Sequence, residues 1–179
     1  MRPVAQLACC LTLLTILSSA QEETFSKNSP SVTMTEVPTA SITRGKPNPV
    51  ELRFRISSGF HVNSNTPTLD YLIPTAVKLE APNDMILGVS YPAGEQLSFP
   101  FAPEQKLSVY SGNFNVSLTI RPLASVLPGN YVMRGHLRYQ ACDNSSCYPP
   151  KELPIEFAMK VNKPQSPHPN NPAQSPHVH

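Results

Sequence analysis

From Val50 to Ile56 the chain alternates strictly: Val50, Leu52, Phe54 and Ile56 fall on one side, Glu51, Arg53 and Arg55 on the other. A period of two is the mark of an extended chain with one buried and one wet face. Phe114, Val116, Leu118 and Ile120 alternate in the same way with Asn113, Asn115, Ser117 and Thr119. So do Leu153, Ile155, Phe157, Met159 and Val161 against Glu152, Glu156 and Lys160. Tyr131, Met133, Leu137 and Tyr139 line one face of a further strand whose other face carries Arg134, His136 and Arg138. Weaker strand patterns at 31–37, 71–79, 85–91 and 106–110 lie between Pro-, Gly- and Asn-rich breaks, and no segment shows a convincing helical period. About seven or eight short strands at this spacing predict an all-β fold, an antiparallel β-sandwich, with a small barrel as the alternative.

The two ends do not belong to that pattern. Arg2, an apolar run from Val4 to Leu17, and Ser18-Ser19-Ala20 follow the order of a cleavable secretory signal over residues 1–20. Residues 21–30 resemble a flexible leader. Residues 163–179 carry Pro164, Pro167, Pro169, Pro172 and Pro176, repeat Gln-Ser-Pro-His from 165 and from 174, and offer almost nothing apolar to bury. Such a segment predicts a disordered tail. The folded domain is then 31–162, with a periplasmic or secreted location. No later window is apolar enough to span a bilayer, so membrane insertion is not expected. Loss of Arg2 with the signal lowers the net charge from +2 to +1, and a near-neutral domain without a basic run gives no basis for nucleic-acid binding.

Cys9 and Cys10 leave with the signal, so Cys142 and Cys147 are the cysteines of the mature chain, separated by Asp143-Asn144-Ser145-Ser146. They fall at the ends of two strands, 129–141 and 147–161, joined by a hairpin turn, and opposed positions across a hairpin suit a disulfide. In an exported protein such a bond persists. As a staple it is poorly placed: closing a loop of about six residues contributes roughly 2 kcal/mol, against nearly 5 for a loop of about a hundred. An antibody-like domain would instead join distant strands and pack a tryptophan on the bridge, and this chain has no tryptophan. A zinc site is disfavoured because two thiolates without a histidine pair leave the metal under-coordinated. A reversible dithiol is favoured, with a purely structural hairpin disulfide in a binding or adaptor domain as the alternative. No cation or helix terminus adjoins the pair to lower a thiol pKa, and Asp143 beside Cys142 disfavours its thiolate. Such a pair is suited to exchange with proteins that bring their own activated thiolates.

Tyr139-Gln140-Ala141-Cys142, a short loop and Cys147-Tyr148-Pro149-Pro150, together with Gly59-Phe60-His61-Val62-Asn63, resemble the periplasmic N-terminal domain of the thiol:disulfide interchange protein DsbD over about 33–162. The resemblance implies an immunoglobulin-like sandwich that takes electrons from a thioredoxin-like protein or membrane thiol reductase and passes them to a periplasmic disulfide isomerase or other thiol protein, with no cofactor. It implies that Cys147 forms the mixed disulfides and that Cys142 resolves them. It also places a cap loop at 91–105, with Phe101 as the preferred shield of the cysteine pair and Phe99 as the alternate. Filling of the sandwich edge is the plainer role for both. Tyr148 and His61 are candidate partner contacts, against the plainer roles of strand residue and hydrogen-bonded histidine. The loop between the cysteines is one residue shorter than in the enterobacterial form, and no aromatic precedes Cys147. The membrane and thioredoxin-like domains of that protein are missing from this sequence, so a free-standing module served by a separate reductant is expected.

Other features carry less. His168, His177 and His179 could chelate a metal loosely, but solvated tail histidines are the simpler case. Asn115-Val116-Ser117 and Asn144-Ser145-Ser146 match the glycosylation pattern. No hydrolase triad, phosphate loop or paired-carboxylate motif is identifiable.

Overall fold

The computed structural model describes residues 31–165. The expected signal, the leader and most of the tail lie outside the described residues. Twelve strands run in the order β1 (Val32–Met34), β2 (Ala40–Thr43), β3 (Asn48–Ile56), β4 (His61–Asn63), β5 (Ala76–Glu80), β6 (Met85–Ser90), β7 (Glu95–Phe99), β8 (Ala102–Ser111), β9 (Asn113–Pro122), β10 (Gly129–Tyr139), β11 (Ala141–Cys142) and β12 (Lys151–Asn162).

The strands form three four-stranded sheets: β1-β3-β9-β6, β2-β12-β10-β5 and β11-β4-β8-β7. In β9 every second residue from Phe114 to Pro122 is buried and every intervening one exposed, as the alternation requires. In β3, Val50, Leu52, Phe54 and Ile56 are all buried. These side chains meet Met133, Leu137, Ile155, Phe157 and Met159 of the second sheet in one hydrophobic core. Two largely antiparallel sheets closed over a shared core make an immunoglobulin-like β-sandwich, and the linear strand order excludes the barrel. Phe54 stacks on Phe114 at 5.1 Å and Phe114 on Tyr110 at 4.8 Å, which ties β8 of the third sheet into that core. Each fully buried Leu, Ile, Phe or Met contributes about 1.5–3 kcal/mol, so this cluster dominates the stability of the domain.

At the middle of β10 the backbone approaches β5 so closely that a Cβ on Gly135 would collide with the Lys78 carbonyl oxygen and the Leu79 backbone. Glycine there is what lets Arg134 to Arg138 pair with β5 on one side while β12 occupies the other.

Several elements differ from the sequence pattern. β2 pairs in parallel with β12, the single parallel pair among otherwise antiparallel ladders of the described residues. β2, β4 and β7 carry no alternation strong enough to announce them, because each is only three to five residues long. The segment 91–105, expected as a turn-rich loop, forms most of a hairpin: β7 pairs with β8, with an irregularity between Leu97 and Phe99. The strands expected at 129–141 and 147–161 are also corrected. β10 stops at Tyr139 and β12 starts at Lys151, since Pro149 and Pro150 have no N–H to continue the ladder. The chain on either side of the cysteines changes sheets instead.

Candidate functional site

Tyr139 is the last β10 residue paired to β12, and two residues later Ala141 and Cys142 pair with Val62 and His61 of β4 in the third sheet. The crossing is held by Gln140. Its side-chain oxygen accepts from Asn63 Nδ2 at 3.0 Å and from the Ile73 N–H at 3.1 Å, while its Nε2 donates to the Tyr148 carbonyl at 3.2 Å. One side chain therefore anchors the flanks of both cysteines and the 63–73 segment beneath them.

Beyond Cys142 the chain reverses through Asp143. Its carboxylate accepts hydrogen bonds from the Ser145 and Ser146 backbone N–H groups at 2.7 and 2.8 Å, an Asx-turn of the kind aspartate favours. The Asp143 N–H donates to the Ser146 carbonyl, and the Tyr148 N–H to the Ala141 carbonyl. Cys142 and Cys147 thus stand opposed as a β-bridge, with α-carbons 3.9 Å apart, and are joined by a disulfide. The two sulfurs are not equivalent. Cys142 is fully buried at 0 % exposure. Cys147 is half-buried on the rim.

Tyr148 donates its phenolic O–H to Asp143 at 2.7 Å and meets Phe60 edge-on at 5.8 Å. That hydrogen bond, with the two backbone N–H groups, holds the Asp143 carboxyl below its usual range, and it raises the Tyr148 phenol in turn. The negative charge beside Cys142 is therefore tied into the turn.

Over the pair lies a small second hydrophobic cluster of Leu72, Phe99, Leu107 and Val109, against which Cys147 packs. Phe99 is its buried inner ring, at 7 % exposure, and Phe101 stacks outside it at 5.4 Å with 37 % exposure. On the cluster's other flank Phe99 stacks on the imidazole of His61 at 4.0 Å. His61 is buried, and its Nε2 has no hydrogen-bond partner among the described residues. Desolvation lowers its pKa to about 4, with the Asp143 charge acting weakly the other way, so the ring is neutral at physiological pH.

The structure brings Cys142, Cys147, His61, Phe99, Phe101 and Tyr148 into one region. Gln140 and Asn63 join them unpredicted; both sat inside the motif runs, but their hydrogen-bond roles depend on a sheet crossing that leaves no mark on the sequence. No group of three or more His, Cys, Asp or Glu able to hold a metal occurs among the described residues. The chemistry available is that of one disulfide with two unequally exposed sulfurs, thiol–disulfide exchange.

Among solved structures the chain is similar to the Neisseria meningitidis DsbD N-terminal domain in its reduced form, at 19% identity over 71% of this chain and 88% of that one, with a TM-score of 0.43. It is also similar to AggA, the major subunit of Escherichia coli aggregative adherence fimbriae type I, at 12% identity over 75% of this chain and 97% of that one, with a TM-score of 0.35. No curated protein matches. The decisive match is the family model for the N-terminal region of the thiol:disulfide interchange protein DsbD, which spans residues 31–158. Covering both cysteines and most of the chain, it shows that this protein belongs to the DsbD N-terminal domain family, a family of periplasmic thiol–disulfide exchange modules.

Proposed function

We propose that this domain works in the periplasm as an electron relay, taking reducing equivalents from a thioredoxin-like protein or membrane thiol reductase and delivering them to a disulfide isomerase or other periplasmic thiol protein. Residues 1–20 act as the export signal in this scheme. The supporting observation is the inequality of the two sulfurs: Cys147 reaches the rim while Cys142 is sealed at 0 % exposure. An incoming thiolate can approach only the rim sulfur.

In the loading direction the donor thiolate attacks Cys147 Sγ, the Cys142–Cys147 bond breaks, and its electron pair leaves on Cys142 Sγ. The donor's second thiol then attacks the mixed disulfide and leaves as the oxidised donor, so two electrons pass to the cysteine pair, the second thiol's proton goes to Cys147, and Cys142 remains the anion formed in the first step. In the delivering direction the Cys147 thiolate attacks an acceptor disulfide, and Cys142 resolves the resulting mixed disulfide by attack on Cys147 Sγ. The bond re-forms and the reduced acceptor departs. Exchange of this type needs no cofactor.

Phe99 and, outside it, Phe101 form the shield that keeps small thiols away until a partner displaces them. Tyr148 lies on the rim where a partner would touch it, and His61 becomes accessible to a partner only when Phe99 moves.

The test is a trap. Cys142→Ser leaves Cys147 free to attack but unable to be released, so periplasmic acceptors should accumulate as mixed disulfides with Cys147 that a reductant dissolves. A Cys142→Ser protein that captures nothing, while folded and with a titratable Cys147 thiol, would leave a structural disulfide in an adaptor domain as the better account.

A further inference from the structure

The relay creates a chemical problem at its inner sulfur. When Cys147 is attacked, the departing electron pair makes a thiolate of Cys142 at a site with 0 % exposure. The site is closed to solvent, and Asp143, the next residue in the chain, brings a carboxylate of like charge rather than a donor. An anion buried among apolar groups is costly unless a donor meets it.

Strand register supplies that donor. Ser111 of β8 stands opposite His61 of β4, His61 opposite Cys142 of β11, and Cys142 opposite Cys147. Directly opposed residues of antiparallel strands project to the same side with Cβ atoms about 4.5–5.5 Å apart. The four residues thus share one row across the third sheet, with His61 the register neighbour of Cys142. Phe99 stacked on its imidazole at 4.0 Å fixes the ring plane. In the disulfide form His61 Nε2 is buried and bonded to nothing among the described residues. Buried polar atoms without partners are rare and costly. A disulfide sulfur is a poor acceptor, whereas a thiolate is a strong one, so the vacancy is filled only when the bond opens.

We propose that His61 is the hydrogen-bond donor that receives the Cys142 thiolate, its neutral imidazole carrying the proton on Nε2. In balanced form, donor RS⁻ and the Cys147–Cys142 disulfide give the RS–Cys147 mixed disulfide and Cys142 S⁻ held by H–Nε2 of His61; no proton need leave the ring. The same bond keeps Cys142 a thiolate, ready to attack in the delivering direction. Burial supports a neutral donor over an imidazolium, since desolvation dominates the ring's protonation. The proposal rests on reversible opening of the disulfide but not on the identity of either partner.

Nitrogen-15 NMR of His61 in the full protein tests it, with the disulfide intact and after reduction by a phosphine. Nε2 should be the protonated nitrogen, its resonance should shift on reduction, and its proton should become protected from exchange. An unprotonated Nε2, or a resonance indifferent to reduction, would overturn the proposal. Because the phosphine opens the bond whatever the natural donor, this readout survives failure of the relay, and failed partner trapping leaves it untouched. As a second measurement, His61→Phe should disfavour the reduced pair about tenfold, a shift of about 30 mV to more negative potential, and His61→Gln, which keeps an N–H donor, should recover most of it. Equal potentials for wild type and His61→Phe would contradict the assignment; if His61→Phe does not fold, the NMR result decides alone.

Discussion

The two-sheet core and the cysteine tip of the third sheet are built on opposite principles. In the core long ladders carry the backbone and the side chains are nearly all of one kind: Leu, Ile, Val, Phe and Met packed together, with Tyr110 and Tyr139 among them. At the tip the strands are two or three residues long, a carboxylate sits in the turn, a histidine nitrogen is left unpaired, and one sulfur is sealed while its mate is half open. The core holds the backbone still so that the tip can afford an incomplete site, and imperfect satisfaction of this kind marks where a protein does chemistry.

That division can be broken most forcefully from the core side. Leu118→Ala, at a site 1 % exposed, should lower unfolding free energy by about 2–5 kcal/mol in chemical denaturation, yet leave the potential of the cysteine pair unchanged in the molecules still folded. Coupled loss of both would show that the two regions are not separable.

The next effect comes from pH. The His61 pKa is about 4 in the folded protein against an ordinary 6.5, so between those values the unfolded chain binds more protons than the folded one. Stability is therefore full above about pH 6.5 and falls as pH drops toward 4, by at most about 3 kcal/mol. His61→Phe should flatten that stretch of the pH–stability curve. Asp143, whose carboxyl is held low, adds a loss of the same sign below the ordinary carboxylate range.

Breaking the disulfide should matter less for folding than either. Cys142→Ser with Cys147→Ser should cost about 2 kcal/mol or less, because the closed loop is short, while abolishing thiol exchange altogether. Smallest of all, Tyr148→Phe should leave stability nearly unchanged in chemical denaturation. Its visible effect is on Asp143, whose carboxyl loses its leading stabilising hydrogen bond and should titrate at higher pH by NMR.

The contrast also explains what the sequence disclosed. β3, β9 and β12 bury one whole face against the other sheet, and burial of that kind writes a period of two into nine to twelve residues. β4 and β7 are too short to write one, and β7 mixes exposed Glu95 to Ser98 with a single buried Phe99. The opposed cysteines, the Asp143 turn and the aromatic pair were legible because turn chemistry and cysteine spacing are local. The sheet crossing at Gln140, the stacking of His61 on Phe99 and the burial of Cys142 were not, since each depends on which strand β11 joins.

The reduction potential of the Cys142–Cys147 pair in the intact protein, measured against a glutathione or dithiothreitol buffer, tests the central claim most directly. A working relay should lie well above about −300 mV, within reach of its partners; a value below that would mark a structural bridge and contradict the account.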